Sequence, residues 1–401
     1  MKKSLLAFAA LNTFAVAAHA QSSVTLYGLI DEGFNWTQNS NGGHLYNLTS
    51  GIMQGSRFGL RGIEDLGGGL KAVFVLESGF NLSTGALGQA DKGSTQGLMF
   101  GRQAYVGISS DYGNVTLGRQ YDSVVDFVGP LAAADQWGGS ISAHAGDIDN
   151  FNNANRVNSA VKFRSATYAG LSFGGIYSFG GVPGEYSRNQ IFSLGAGYSN
   201  GPLTLGAAYL NVRNPNVSFF GDGGASTTVS ASGNFISSPV FSGYASAHTY
   251  QDLGAAGAYS FGAATIGATY SNIKFSGLGD TATSGTNPRG YSGTATFNNV
   301  EINFKYQITP ALLVGAAFDY TKGSSVNEAK GALNPGAKYY QGAFGVDYFL
   351  SKRTDVYLIG VYQKASGTDS TGAPAVAALN SVTASSSDRQ AMVRIGIRHK
   401  F

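Results

Sequence analysis

The stretch VEINFKYQI, Val300 to Ile308, alternates apolar and polar residues without a break. Successive side chains of an extended chain point to opposite faces. Val300, Ile302, Phe304, Tyr306 and Ile308 therefore share one face, and Glu301, Asn303, Lys305 and Gln307 share the other. The segment is a strand whose fold depends on which face meets water. In a soluble sandwich the apolar face is core; in a barrel that crosses a membrane it is the outside.

The composition weighs on this choice. The chain has 401 residues with 58 Gly, 9 Pro, no Cys and only 12% charged residues. That charge is about half the usual share of a soluble domain. No run of 18 apolar residues occurs, which excludes helical membrane spans. The absence of Cys excludes a disulfide framework and thiolate metal sites. The first twenty residues, MKKSLLAFAALNTFAVAAHA, have a basic start, an apolar stretch and an Ala18-His19-Ala20 end. That is the pattern of a secretory leader cleaved before Gln21. Removing it leaves 24 basic against 23 acidic residues, a balance that gives no case for a nucleic-acid partner.

From Gln21 onward the chain reads as sixteen strands separated by connectors of alternating length. Long, polar connectors lie near 37–53, 81–97, 120–155, 181–190, 214–245, 275–292, 322–336 and 364–387. The short ones are EDLGGG, SSDYGN, TYAG, YSNGP, FGAA, ITPA and LSKRTD. An even strand number with short turns at one end and long loops at the other marks an antiparallel transmembrane β-barrel. The apolar face of VEINFKYQI then meets lipid. Two segments, 69–80 and 98–110, are apolar or small on both faces, which points to burial against another subunit or, alternatively, to packing against an inward-folded loop.

No catalytic or metal constellation is legible. The glycine run at Gly67–Lys71 lacks the spacing of a phosphate loop and joins two strands, so it reads as a tight turn. His44, His144, His248 and His399 fall in separate places and read as surface or girdle residues. The informative charges are arginines at lumen parity: Arg57 and Arg61 in SRFGLRGIED, with Arg102, Arg119 and Arg156 at strand ends flanking the loop 120–155. That loop carries Asp122, Asp126, Asp135, Asp147 and Asp149. A basic wall facing an acidic loop sets up a transverse field across a pore. Plentiful lumen-facing Gly, and the absence of a plug-sized extra domain, favour an open lumen.

The stretches SVTLYGLIDEGF, SRFGLRGIEDLGGGLKAVFVLESGFNL, FGRQAYVGISSDYGNVTLGRQYD and IGIRHKF resemble the general porins of Gram-negative outer membranes, in their beta-proteobacterial branch. The resemblance covers residues 21–401. It implies a 16-stranded barrel, a homotrimer and a third extracellular loop, 120–155, folded inward as the constriction. It also implies that Arg57, Arg102 and Arg156 form a basic wall with Arg119 beside it and Arg61 on the same face. Glu77 matches a carboxylate near the constriction, and Asp126 and Asp135 are the candidates for the acidic loop side. Phe401 matches the signal read by the barrel-assembly machinery. The loop tip AADQWGGS departs from the enterobacterial pattern, so its acidic partner is displaced.

The expected function is an outer-membrane, water-filled channel for passive diffusion of small hydrophilic solutes and ions, with a mild anion preference and no enzymatic activity or cofactor. Its surroundings would be outer-membrane lipid and lipopolysaccharide. The alternatives are a substrate-specific channel and a non-conducting adhesion or structural barrel.

Overall fold

A computed structural model of the chain describes residues 22–88, 97–221 and 233–401. The expected leader, residues 1–20, lies outside these, as do parts of the connectors near 81–97 and 214–245.

The strands follow one another around a closed antiparallel barrel. In chain order they are β1 Ser23–Ser40; β2, in two segments, Gly43–Ser50 and Arg57–Gly67; β3 Leu70–Gly79; β4 Gln103–Ser110; β5 Gly113–Gln120; β6 Val157–Ser165; β7 Leu171–Ser178; and β8 Ile191–Asn200. The second half comprises β9 Leu203–Arg213, β10 Thr249–Phe261, β11 Ala264–Leu278, β12 Gly293–Thr309, β13 Leu312–Gly323, β14 Ala337–Phe349, β15 Thr354–Gly367 and β16 Arg389–Lys400. Closure comes from β1 pairing with β16, in register from Leu29↔Lys400 to Thr37↔Met392. The terminal residue adds a final rung: Gly28 and Phe401 exchange both backbone hydrogen bonds at 3.0 Å. A methyl group on Gly28 would lie 2.5 Å from the Phe401 ring, so glycine there leaves room for the ring on the outer surface.

The opening stretch lies in β12 and is turned as a membrane barrel requires. Ile302 is 57% exposed on the outside, whereas Glu301 is 1% exposed inside. Tyr306 and Tyr348 face outward near the short turns, as an aromatic girdle does. The glycine run is a turn, with Gly67, Gly68 and Gly69 all at positive φ.

Two expectations about the connectors change. The segment 37–53 is not a long loop. Strand β1 continues to Ser40, turns tightly at Asn41-Gly42 (φ 50° and 99°) and returns as Gly43–Ser50. The interruption falls instead at 51–56, where β2 buckles inward and buries Ile52 and Met53.

The second change is at the long-loop rim, where strand polarity inverts. In β11, Ile273 and Phe275 are buried inside while Asn272 and Lys274 point out. The inward residues pack against residues of the 214–248 connector that fold into the barrel mouth, with Phe220, Phe241 and Tyr244 all in ring contact with Phe275. Burying these rings inside the mouth removes them from water where no lipid is available to do so.

Candidate functional site

The loop between β5 and β6 runs inside the barrel, ordered by its own helix cap and held on the wall by side-chain packing, an ion cluster and a backbone tie. Its first turn, helix α1 (Ser123–Phe127), is capped by the Asp122 carboxylate, which accepts from the backbone N–H of Val124 at 2.8 Å and of Val125 at 3.2 Å. Asp caps satisfy donors that a helix start otherwise leaves open.

Large side chains then press onto bare wall. Phe127 lies against Gly195 and Gly197 of β8, and its carbonyl against Gly206 of β9. Phe151 lies over Gly254, and the Trp137 indole covers Gly315 and Gly345, where a methyl group would sit 2.3 Å and 2.6 Å from it. The plentiful lumen-facing glycines thus do not simply widen an open lumen; six of them are the seat of this loop.

A buried ion cluster is the second hold on the wall. His144 Nδ1 lies 2.7 Å from Asp149 Oδ2, and Nε2 lies 3.3 Å from Glu301 Oε2 on β12. Ser271 and Asn299 donate to the same Asp149 oxygen, and Glu301 also accepts the Ala133 backbone N–H. His144 is therefore a buried clamp between loop and wall, not the surface or girdle residue its isolated position suggests. The loop tip is tied to the buckle in β2, Ser140 N donating to Ile52 O at 2.7 Å.

What remains open is a cavity of about 890 Å³ between this loop and the facing wall. Arg57, Arg102, Arg156 and Arg164 line it together with Asp126 and Asp135. Arg102 donates from Nε to Glu77 at 2.8 Å, and Glu77 also accepts from the hydroxyls of Tyr27 at 3.0 Å and Tyr121 at 3.1 Å. Asp126 is paired with Lys162 at 2.5 Å. Asp135 accepts from Asn152 at 2.7 Å. Enclosure by the loop and wall pushes its carboxyl up, against the pull of Asn152, Arg57 and Arg102. Because Asp135 opens on the cavity, water there limits that rise.

A barrel of this strand number, with a loop seated inside and a charged cavity beside it, matches a known sequence profile, that of the Gram-negative porins, over residues 6–368. The chain belongs to the Gram-negative porin family. An outer membrane porin protein of Bordetella pertussis is 30% identical, with 91% of this chain and 94% of that one covered. Outer membrane porin protein 32 of Delftia acidovorans is 32% identical over 51% of this chain and 58% of its own length. Among solved structures, an anion-selective porin from Comamonas acidovorans superposes with a TM-score of 0.69 at 21% identity, covering 95% of this chain and all of that one. At that identity the likeness concerns the fold. As a porin the protein is an outer-membrane channel for passive diffusion.

In this porin, five residues expected at the site from sequence meet at the cavity: Arg57, Arg102, Arg156, Asp126 and Asp135. Glu77 sits behind Arg102 within the basic side, not opposite it. Arg61 shares the inward face of β2 but does not line the cavity, its guanidinium lying over the Tyr27 ring at 5.4 Å. Arg119 departs from expectation. It pairs with Ala104 in a register that sets Leu117 and Val106 outward, so it stands on the outer parity of β5. There its guanidinium donates to Gly101 O at 2.8 Å and Asn158 Oδ1 at 2.5 Å. Arg164 and Lys162 were missed, although VKFRS shows them alternating with outward Val161 and Phe163. Asp122, Asp147 and Asp149 face the buried side of the loop, not the cavity.

Proposed function

We propose that ions and small hydrophilic solutes cross this porin through the cavity between the Arg57–Arg102–Arg156–Arg164 side and the loop 120–155, and that the passage favours anions mildly. The observation that carries the reading is the charge count. Four arginines and Lys162 stand against Glu77, Asp126 and Asp135, an excess of two positive charges. A surplus of fixed positive charge in a narrow aqueous passage raises the local anion concentration. Reversal potentials across a salt gradient in a planar bilayer test it; a potential of cation-selective sign would overturn it.

The same reading has a pH signature. Asp135 carries a carboxyl raised above its ordinary range, so it takes up a proton as pH falls through that raised value. The cavity then loses a negative charge, and anion preference should be higher at pH 5 than at pH 8. Asp135→Asn should abolish the part of the dependence due to this group. A wild-type channel whose selectivity is flat across that range would contradict the role given to Asp135.

The mature chain, residues 21–401, is read as a homotrimer. Glu32 supports this. It pairs with Ile397 on β16 and stands on the outer face of β1 in the same row as Phe34, with Ser83 donating to its carboxylate at 3.0 Å. A carboxylate within the apolar band is costly against lipid and is better accommodated at a subunit contact. The long connectors are taken to face the exterior, in lipopolysaccharide.

Phe401 is proposed as the residue that the assembly machinery reads, since it ends the outward row and closes the β1–β16 seam. Deleting it should sharply reduce the amount of porin in the outer membrane. Normal outer-membrane levels of the truncated chain would count against this.

A further inference from the structure

Strand β2 carries four more residues than its neighbour requires. Glu32 of β1 is level with Ser50, and Leu29 is level with Arg57. Two residues of β1 therefore face six of β2, residues 51–56. An insertion of four, being even, leaves the inward and outward rows in step on both sides of it. Bulges recur next to functional sites, where they bend a strand and re-aim what it carries.

The excess chain folds into the lumen and is pinned at its neck. Asp31, opposite the gap, replaces the missing rungs. Its carbonyl accepts from Gly51 N at 2.8 Å and from the Ser56 hydroxyl at 3.1 Å, and its N–H donates to Ser56 Oγ at 3.1 Å. One carboxylate oxygen accepts from Gln54 N at 2.9 Å. The other accepts from the Tyr357 hydroxyl of β15 and, at 3.2 Å, from Arg394 of β16. The buckle thus hangs from a fully buried ion pair. Gly51, at φ 77°, allows the sharp entry.

The buckle meets the tip of the loop 120–155. Gly139 comes so close that a methyl group on it would lie 2.6 Å from Ile52 O, the oxygen that accepts from Ser140 N. Asn380 of the last long connector donates to Ser140 O at 3.1 Å. Ile52 and Met53 are buried in one cluster with Ile141, Leu379 and Met392. The loop tip is therefore caught between the buckled wall and that connector. The buckle also gives five consecutive residues, 51–55, to the cavity lining. A methyl group on Gly55 would lie 3.0 Å from Arg102 Nη1, so the buckle stands beside the basic side.

We propose that this buckle is a second jaw of the constriction, so that residues 51–56 of the wall set the size limit of the porin together with the loop. A loop alone narrows a smooth wall from one side; here the wall itself comes forward to meet it. Irregular backbone is tolerated inside a membrane barrel where it lines a water-filled cavity. The inference rests on solutes passing through the cavity, but not on the sign of its charge.

The parity of the insertion supplies the test. Excising residues 52–55 joins Gly51 to Ser56 and sets them level with Asp31 and Ile30, which makes β2 continuous while Asp31 keeps Tyr357 and Arg394. In planar bilayers the shortened porin should conduct roughly 1.5-fold more than wild type. Neutral polyethylene glycols too large to enter the wild-type channel should depress its current, a readout blind to the arginines. Wild-type conductance with an unchanged polymer limit would overturn the jaw. So would a lower melting temperature beside an unchanged limit, which would leave the buckle a structural seat only. If the shortened chain does not assemble, Ser56→Ala decides. It loosens the neck, spares the Asp31–Arg394 pair and should roughly double the open-channel current noise, since a segment held by fewer hydrogen bonds opens locally more often; wild-type noise would then overturn the jaw. Excising 126–139 from the loop separates the two readings. A gain in conductance there with none on excising the buckle overturns the jaw alone, whereas no gain from either means that solutes bypass the cavity and overturns both.

Discussion

Replacing Arg57, Arg156 and Arg164 with glutamine together will move the reversal potential across a potassium chloride gradient towards cation preference. All three line the cavity, and their loss turns an excess of two positive charges into an excess of one negative. A charge about 5 Å from a passing ion is worth roughly 0.8 kcal/mol at the dielectric of water and about 3 kcal/mol at an effective value of 20. Even the lower figure changes an ion's local concentration about fourfold. Arg102 is left in place for a physical reason. It is the partner of buried Glu77, and breaking such a pair costs about 3–5 kcal/mol, which would confuse loss of selectivity with loss of folding. Arg61→Gln is the control: it stands outside the cavity over Tyr27 and should leave the potential nearly unchanged. The shift should be largest in dilute salt, where screening extends furthest. An unchanged potential in the triple variant would sink the assignment of these residues.

The reach of sequence reasoning follows from where a period exists. In strands, alternation sorts every side chain to lipid or lumen, so Arg57 and Arg61 were placed on the inward face of β2. The same rule, applied to VKFRS, would have added Lys162 and Arg164. For Arg119 the rule itself gives the answer the structure shows: Val115 and Leu117 face outward, and Arg119 is the next residue of that row, so its place at lumen parity does not follow from the alternation of β5. The rule failed for 37–53 because an Asn/Ser/Gly-rich hairpin has the composition of a loop. The inverted polarity of β11, with Phe275 inside and Lys274 outside, is present in the sequence, but it has meaning only once Phe220, Phe241 and Tyr244 are known to enter the mouth.

In the loop no period exists at all. Asp126 and Asp135 face the cavity, whereas Asp122, Asp147 and Asp149 are buried, and nothing local distinguishes them. What separates the two sets is the wall behind. Bare glycines admit Phe127, Phe151 and Trp137, and Glu301 meets His144, contacts between residues more than a hundred positions apart in the case of Glu301 and Trp137.

Excising residues 126–139 should roughly double single-channel conductance and weaken the anion preference, because the loop sets the narrowest part of the path. The segment supplies Asp126, Pro130 and Asp135 to the cavity lining and Trp137 to the Gly315–Gly345 seat. No rung of the barrel ladders passes through it, so the strands should close as before. His144 and Asp149 lie outside the excised stretch, and their contacts with Glu301 and Ser271 keep the remainder of the loop on the wall. Two effects on selectivity then oppose each other. Losing two carboxylates doubles the positive excess, from two to four. Widening the passage moves ions from about 5 Å to about 10 Å from the arginines, which halves the Coulomb energy, and a screening length of about 8 Å removes nearly half of what is left. Each charge thus keeps about a quarter of its influence, so doubling their number restores only about half of the original effect. Distance wins, and the reversal potential should shrink without changing sign. Wild-type conductance in the shortened chain would mean that ions do not pass beside this loop.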